Sequence, residues 1–199
     1  NAETAKAWLA KHKIKPETQF AAVSENVKEA EAFGILPENV FPMRKWVGGR
    51  YSVWSSVGLP LMLAIGYENF QKFLAGAHAM DEHFRTAPLE KNMPVLMAML
   101  GIWERNFFNR PALAILPYAQ GLRTFVGYMQ QLDMESNGKR VNRDGHVLDY
   151  PSSAVLWGGT GTVSQHSFHQ LLHQGTHLIP VDFIVPVQAA RPGSAQDDA

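Results

Sequence analysis

The sequence predicts an α/β fold with a mostly parallel sheet, because short apolar strands alternate with helical segments along the chain. Of the 199 residues, 46% are hydrophobic and 18% charged, which is typical of a globular protein with a large core. The predicted strands lie at residues 19–24, 112–116, 154–157 and 178–187, and prolines interrupt the last of them.

The first third of the chain reads as helices around one strand. Gly34 follows a helical segment, where glycine commonly closes a helix in the left-handed conformation. Residues 39–46 lead into a turn at Gly48 and Gly49. The helices predicted here cover residues 2–12, 26–33 and 52–66, and the last is mostly apolar.

Two longer helices are predicted in the middle of the chain. Residues 67–86 repeat apolar side chains at helical spacing, which predicts an inner face of Phe70, Phe73, Leu74 and Ala77. Residues 93–108 are apolar nearly all round. We therefore expect this second helix to be buried among other elements.

Residues 129–139, which read MQQLDMESNGK, predict the end of an amphipathic helix. An apolar stripe precedes them at Leu122, Phe125, Val126 and Met129. Off that stripe, one face is shared by Tyr128, Gln131 and Glu135. Gly138 can take the left-handed conformation that closes a helix.

Glu135 is the first candidate for a catalytic residue. The negative end of a helix dipole disfavours the charged form of a carboxyl group, which favours its use as a proton-transfer base near neutral pH. A solvated terminal glutamate is the alternative interpretation of this segment taken alone.

The last elements surround a glycine-rich stretch. Residues 142–145 form a turn, and the glycine-rich turn at residues 158–161 leads into a helix at residues 165–173. The glycine-rich turn lacks the lysine of a phosphate-binding loop and the third glycine of a dinucleotide fingerprint. The tail from Ala189 predicts a surface segment or linker.

His166 lies where the glycine-rich turn meets the predicted helix. The positive end of the helix dipole disfavours imidazolium, so the sequence predicts a neutral His166 that can relay a proton. An alternative remains, because three imidazoles on one helix face could bind Zn²⁺: His166, His169 and His173. No glutamate of the HExxH type accompanies them.

Gly49 and Arg50 form a second candidate site. The two glycines at 48 and 49 allow the backbone to approach a ligand closely. Arg50 follows at or just before a helix start, where its guanidinium could stabilise an oxyanion formed during a reaction. An ordinary turn with Arg50 paired to a surface carboxylate is the alternative.

Charge and cysteine content exclude several classes of protein. Lys and Arg together number 18, as do Asp and Glu, so no net field recruits nucleic acid or an anionic membrane. The absence of cysteine excludes disulfides and thiolate catalysis, and a cytoplasmic protein is expected. No run of apolar residues is long enough for a membrane span.

Together these segments resemble the phosphoglucose isomerase family over nearly the whole chain. The similar runs occur in the family's order: WVGGRYSVWSSVG at residues 46–58, GAHAMDEHF at 76–84, PLEKNMPVLMAMLGIW at 88–103, ILPYAQGLRTFVGYMQQLDMESNGK at 115–139 and GTVSQHSFHQLLHQGTHLIPVDFIVPVQ at 161–188. The resemblance implies three-layer αβα sandwiches of the sugar isomerase type and the interconversion of glucose 6-phosphate and fructose 6-phosphate in glycolysis and gluconeogenesis.

The resemblance also assigns roles to single residues. Glu135 matches the base that moves a proton between C1 and C2, and Arg50 matches the arginine that stabilises the cis-enediolate intermediate. Gln131 and Gly49 match substrate-binding positions. His166 matches a histidine that assists ring opening and reaches the site of the partner subunit in a homodimer. No cofactor and no metal are implied, since a carboxylate base and a cation suffice.

The chain departs from the family pattern in three respects. Lys45 stands where an acidic or small residue is usual, and Gly159 replaces a glutamate that is not the base. The family's chains are more than twice as long, and its phosphate-binding loop and ring-opening lysine lie outside this sequence. We therefore expect a central fragment that is inactive alone, with a first partial domain at residues 1–64 and a second at 65–199.

Two other functions remain open at the level of sequence. A non-catalytic module that binds sugar phosphates could share the fold without requiring Glu135, Arg50 and His166 together. A metal-dependent hydrolase could use the histidine face, and stoichiometric zinc would reveal it.

Overall fold

Residues 1–188 are described by the computed structural model, which divides into one unit at Asn1–Asp81 and a second that begins at Glu82. The expected surface segment from Ala189 lies outside the described residues. The domain boundary expected after residue 64 stays a prediction.

The first unit contains a two-stranded parallel sheet, in which Ala22 lies opposite Val40. Asn26 caps the second helix by accepting a hydrogen bond from the Glu29 N–H at 3.2 Å and donating to the Glu29 carboxylate at 2.8 Å. Gly34 ends that helix with φ +105°, as predicted. The elements are α1 (Ala2–Lys11), β1 (Ala22–Ser24), α2 (Val27–Phe33) and β2 (Val40–Pro42), of which β2 is not predicted by the sequence.

The apolar segment predicted as one helix at residues 52–66 is divided into three pieces. They are the 3₁₀-helices Gly49–Trp54 and Ser56–Gly58 and the helix α3 (Leu59–Ile65). A Cβ atom on Gly58 would lie 2.4 Å from the Val53 carbonyl oxygen and 2.7 Å from the Phe70 ring. The prediction of a continuous helix is therefore wrong, and a close approach at Gly58 accompanies the break.

Helix α4 (Tyr67–Thr86) has the predicted bounds, and the division between the units falls within it. Phe70 is buried, and Leu74 and Ala77 are partly buried, as the apolar spacing predicts. Phe73 is more exposed and stacks on Trp54, with ring centres 4.5 Å apart.

The second unit is built on a three-stranded parallel sheet in the order β4-β3-β5. Ala114 of the central strand lies opposite Trp157 on one side and Val181 on the other. The central strand is the most buried, with Ala114 and Leu116 fully inaccessible to solvent. The strands are β3 (Ala112–Pro117), β4 (Val155–Gly158) and β5 (Val181–Ile184).

Helices cover both faces of this sheet. On one face, Val126 of helix α6 (Phe125–Met129) packs in a core cluster with Ile115 and Leu156. Trp157 points to the opposite face, where its ring meets Phe168 edge to face at 4.7 Å. Phe168 lies between the short helices α7 (Gly161–Ser164) and α8 (His169–Gln174). The α/β fold predicted from the sequence is confirmed, with an αβα arrangement in this unit.

Helix α5 (Met93–Ile102) contradicts the expectation that it is buried among other elements. Met97 and Leu100 are each 56% exposed, and the π-helical segment Trp103–Phe107 that continues it leaves Phe107 79% exposed. Apolar residues on every side of this helix predict that it is buried. They do not identify what would cover it.

Among residues 1–188, no helix is both long enough and apolar enough to cross a lipid bilayer.

Asn92 is a buried polar side chain on which the start of α5 depends. It is 2% exposed, its amide donates to the Phe84 carbonyl at 2.7 Å, and its oxygen accepts from the Val95 N–H. Asn92→Ala should lower the free energy of unfolding by about 2–3 kcal/mol, since it removes a helix cap and the hydrogen bond to the Phe84 carbonyl from a side chain that is itself buried. Urea unfolding of the chain would measure this. The control is Asn109→Gly. Asn109 has a φ of +52°, a conformation that favours glycine, so this variant should be no less stable than the unsubstituted chain.

Candidate active site

The carboxyl ends of strands β3 and β4 form the edge of the sheet at which a ligand site is expected. The sheet order places β4 on one side of β3 and β5 on the other, so successive connections run in opposite directions. Ligands bind in open parallel sheets at such a switch point, outside the carboxyl ends of the strands. The connection after β3 leads to α6, and the connection after β4 leads to α7.

The glycine-rich turn passes tightly against the end of β3. Gly158 has φ +141°, and a Cβ atom there would lie 2.0 Å from the Ile115 carbonyl oxygen. A Cβ atom on Gly161 would lie 2.5 Å from the Tyr118 ring. These two glycines therefore serve the close packing of the two loops that border the switch point.

Glu135 and Gln131 lie on a π-helical segment, Gln130–Glu135, that continues directly from α6. The sequence predicts a regular α-helix that Gly138 closes; the helix does end at residue 137, but residues 130–135 are π-helical where a regular α-helix is predicted. Met129 and Met134 both pack against the core cluster although they are five residues apart. This five-residue separation matches the i→i+5 hydrogen-bonding step of a π-helix.

The side chains of Gln131 and Glu135 are exposed, whereas Met134 between them is partly buried. The segment ends where the Lys139 ammonium group donates to the Glu135 carbonyl oxygen and the Gly138 N–H donates to the Met134 carbonyl oxygen at 2.9 Å. Gly138 does not have the predicted left-handed φ. Glycine is nevertheless required at this position by close packing, because a Cβ atom on Gly138 would lie 2.2 Å from the Met134 carbonyl oxygen.

His166 is not in the first turn of a helix, and the prediction of one helix at residues 165–173 is wrong. It lies exposed in the turn between α7 and α8, and its backbone N–H donates to the Val163 carbonyl at 3.3 Å. The Gly-Thr-Gly-Thr sequence starts a helix earlier, at Gly161, so the positive end of that helix dipole lies away from His166. The argument for a neutral His166 from a helix start therefore does not apply.

Gly49 and Arg50 begin the 3₁₀-helix Gly49–Trp54 in the first unit, which confirms the predicted helix start. Gly49 has φ +56°, a conformation that favours glycine, and space is open beside its Cα. Ser52 holds the turn by donating to the Gly49 carbonyl at 2.5 Å. The half-buried Arg50 places its guanidinium 5.7 Å from the centre of the Tyr51 ring.

The three histidines proposed as an alternative zinc site do not form a metal-binding group. His169 Nε2 lies 3.1 Å from Ser164 Oγ, and its ring centre is 6.1 Å from that of His173. Within residues 1–188, no cluster of three or more His, Asp or Glu side chains is placed to hold a metal ion.

A cavity of about 210 Å³ lies at the opposite, amino edge of the sheet. Its lining includes the half-buried Glu104–Arg110 ion pair and Asp182 of β5. Burial raises the pKa of the Asp182 carboxyl group above its usual range. Asp182 lies opposite Ile115 in the sheet, and it is not among the predicted site residues.

The model of the phosphoglucose isomerase family matches residues 1–198. A glucose-6-phosphate isomerase of Alteromonas mediterranea is 54% identical across the whole chain, and one of Aromatoleum aromaticum is 56% identical over 96% of it. The crystal structure of a glucose-6-phosphate isomerase from Chlamydia trachomatis superposes with a TM-score of 0.82, at 39% identity over 92% of the chain. The chain spans 36%, 35% and 35% of these three proteins. This chain belongs to the phosphoglucose isomerase family.

Proposed function

We propose that this chain supplies the proton-transfer base of an aldose–ketose isomerase that interconverts glucose 6-phosphate and fructose 6-phosphate. The observation that carries the proposal is the 54–56% identity to proteins named glucose-6-phosphate isomerase over nearly the entire chain. Because the chain spans about a third of those proteins, the activity is proposed for a polypeptide of their full length.

The reaction moves one proton between neighbouring carbons of the open-chain sugar. A base removes the proton from C2 of the aldose, and the electrons form a cis-enediolate with its charge on the C1 oxygen. A proton passes from the C2 hydroxyl to that oxygen, and the same base returns a proton to C1, which leaves the carbonyl group at C2. We assign this base to Glu135, whose exposed carboxylate lies on the π-helical segment that Asp133 joins to Ser153, just before β4. Gln131, one turn earlier on the same segment, would contact the substrate.

Arg50 would stabilise the negative charge of the enediolate, which is the role of a preorganised cation in such a site. Gly49 supports the assignment, since its positive φ and the open space beside it would allow a substrate close to the backbone. This chemistry needs neither a metal ion nor another cofactor.

His166 would assist ring opening in the site of a partner subunit, within a homodimer. Its exposure in the turn between α7 and α8 supports a role across an interface. We place the enzyme in the cytoplasm. No nucleic acid or membrane partner is proposed.

A hybrid enzyme tests the proposal, with this chain replacing the matching third of the Alteromonas mediterranea relative. The hybrid should convert fructose 6-phosphate to glucose 6-phosphate in a coupled assay, whereas the purified 199-residue chain should show no turnover. A folded hybrid that binds fructose 6-phosphate without converting it would contradict the proposal and favour a non-catalytic sugar-phosphate module.

Arg50→Ala in the hybrid enzyme should lower kcat by about 10²–10³-fold, as removal of one stabiliser of an oxyanion typically does. Arg50→Lys should recover part of the loss because it restores the charge without the planar guanidinium. Steady-state kinetics would measure both variants. Arg44→Ala, which removes an exposed arginine nearby, is the matched control. Equal kcat values for the Arg50→Ala and Arg44→Ala variants would exclude the assigned role.

A further inference from the structure

The π-helical segment Gln130–Glu135 is tied to strand β4 by side chains at two points. Gln130 Nε2 donates to the Leu156 carbonyl oxygen at 2.9 Å. Ser153 Oγ, two residues before β4, donates to Asp133 Oδ2 at 3.2 Å. Both contacts link residues at least 20 positions apart, so they fix the segment against the sheet rather than within its own helix.

Asp133 also links the segment to the helical turn that follows Glu135. Its second carboxylate oxygen, Oδ1, accepts a hydrogen bond from the side-chain amide of Asn137. Ser153 is itself anchored, because its carbonyl oxygen accepts from Arg105 Nε at 3.2 Å. We call these contacts the Asp133 bridge, which consists of Asp133, Ser153 and Asn137. Glu135 lies in the sequence between Asp133 and Asn137.

The bridge acts on a backbone whose register is unusual. In a regular α-helix, the side chain four residues after Met129 would be Asp133, and it would replace Met134 against the core. The π-helical turn inserts one residue, so Met134 packs inward while Asp133 turns toward Ser153. Relaxation to an α-helix would rotate Glu135 by about 100° around the helix axis.

We propose that Asp133 and Ser153 are positioning residues, which hold the π-helical register and thereby aim the Glu135 carboxylate at the substrate. Neither residue touches the reacting atoms. This inference rests on the proposed function, because the orientation of the Glu135 carboxylate affects the rate only if Glu135 is the base. A misplacement of a catalytic group by about 1 Å can cost about 100-fold in rate.

Kinetics of the hybrid enzyme test the bridge. Asp133→Ala and Ser153→Ala should each lower kcat by about 10- to 100-fold while KM for fructose 6-phosphate stays within about twofold. The double variant should be little worse than the poorer single one, because both remove the same contact. Asp133→Asn should recover most of kcat, since its amide can donate to Ser153 Oγ and its oxygen can accept from Asn137. Asp144→Ala, at an exposed aspartate in the 142–145 turn, should leave kcat unchanged.

Hydrogen exchange on the 199-residue chain provides a readout independent of activity. The amides of residues 134–138 should exchange faster in the Asp133→Ala and Ser153→Ala variants than in the Asp144→Ala variant, with the rest of the sheet unaffected. Unchanged kcat in both bridge variants would overturn the inference. It would also be overturned if kcat fell and hydrogen exchange became faster throughout the protein, because the loss of activity would then reflect general destabilisation. Full activity in Glu135→Gln would instead refute the proposed base, so the two failures are distinguishable.

Discussion

Glu135→Gln in the hybrid enzyme should lower kcat by about 10²–10⁴-fold, because the amide cannot accept the C1 proton of fructose 6-phosphate and general-base catalysis typically contributes that much. The substitution preserves the size and shape of an exposed side chain, so folding should be unaffected. KM should change little, since the carboxylate acts on the transition state more than on substrate binding. A coupled assay at saturating fructose 6-phosphate would measure kcat.

The matched control is Glu68→Gln, which neutralises an exposed glutamate in the first turn of α4. Its kcat should equal that of the unsubstituted hybrid. Isotope exchange sharpens the comparison: fructose 6-phosphate recovered from heavy water should carry deuterium at C1 with the Glu68→Gln variant and none with Glu135→Gln. Deuterium uptake at an undiminished rate in the Glu135→Gln variant would show that another group is the base.

Gly158→Ala should have the largest effect on the stability of the second unit. Its φ of +141° is unfavourable for any side chain, and the added Cβ would lie 2.0 Å from the Ile115 carbonyl oxygen. Backbone strain and overpacking should together lower the free energy of unfolding by roughly 3–5 kcal/mol. The neighbouring atom is backbone of the central strand, so little can move to relieve the clash. Urea unfolding followed by circular dichroism would measure the loss.

Gly127→Ala is the matched control for this glycine substitution. Gly127 lies within helix α6 and is exposed, and a Cβ atom added there would meet no atom within 4 Å. Alanine is a better helix former than glycine by about 1 kcal/mol, so this variant should be as stable as the unsubstituted chain or more stable. A Gly158→Ala variant as stable as Gly127→Ala would refute the assigned close contact.

Periodic patterns predict the elements of this fold best where one face of a helix or strand decides the structure. Helix α4 is predicted with its bounds because a polar face and an apolar face alternate over its full length. Strand β3 is predicted because a short, wholly apolar run is typical of a central parallel strand. Strand β2 escapes prediction because it has three residues and ends in Pro42, which leaves no pattern to recognise.

The errors near the candidate site have a common physical origin, since tertiary packing there overrides local spacing. The π-helical insertion follows from burying Met134, which local α-helical spacing does not predict. The helix start at Gly161 follows from its packing under the Tyr118 ring, and this places His166 in a turn. Residue types in the site are predictable from motifs, whereas their backbone geometry depends on the neighbouring strands.

The exposed helix α5 has a consequence for how the chain behaves in water. Met97, Leu100 and Phe107 present to solvent the kind of surface that monomeric soluble proteins keep small. Such a surface binds hydrophobic dyes and limits the concentration at which a protein remains dispersed. Expression and storage of the 199-residue chain would therefore depend on temperature, salt and dilution more strongly than the stability of its β-sheet alone would require.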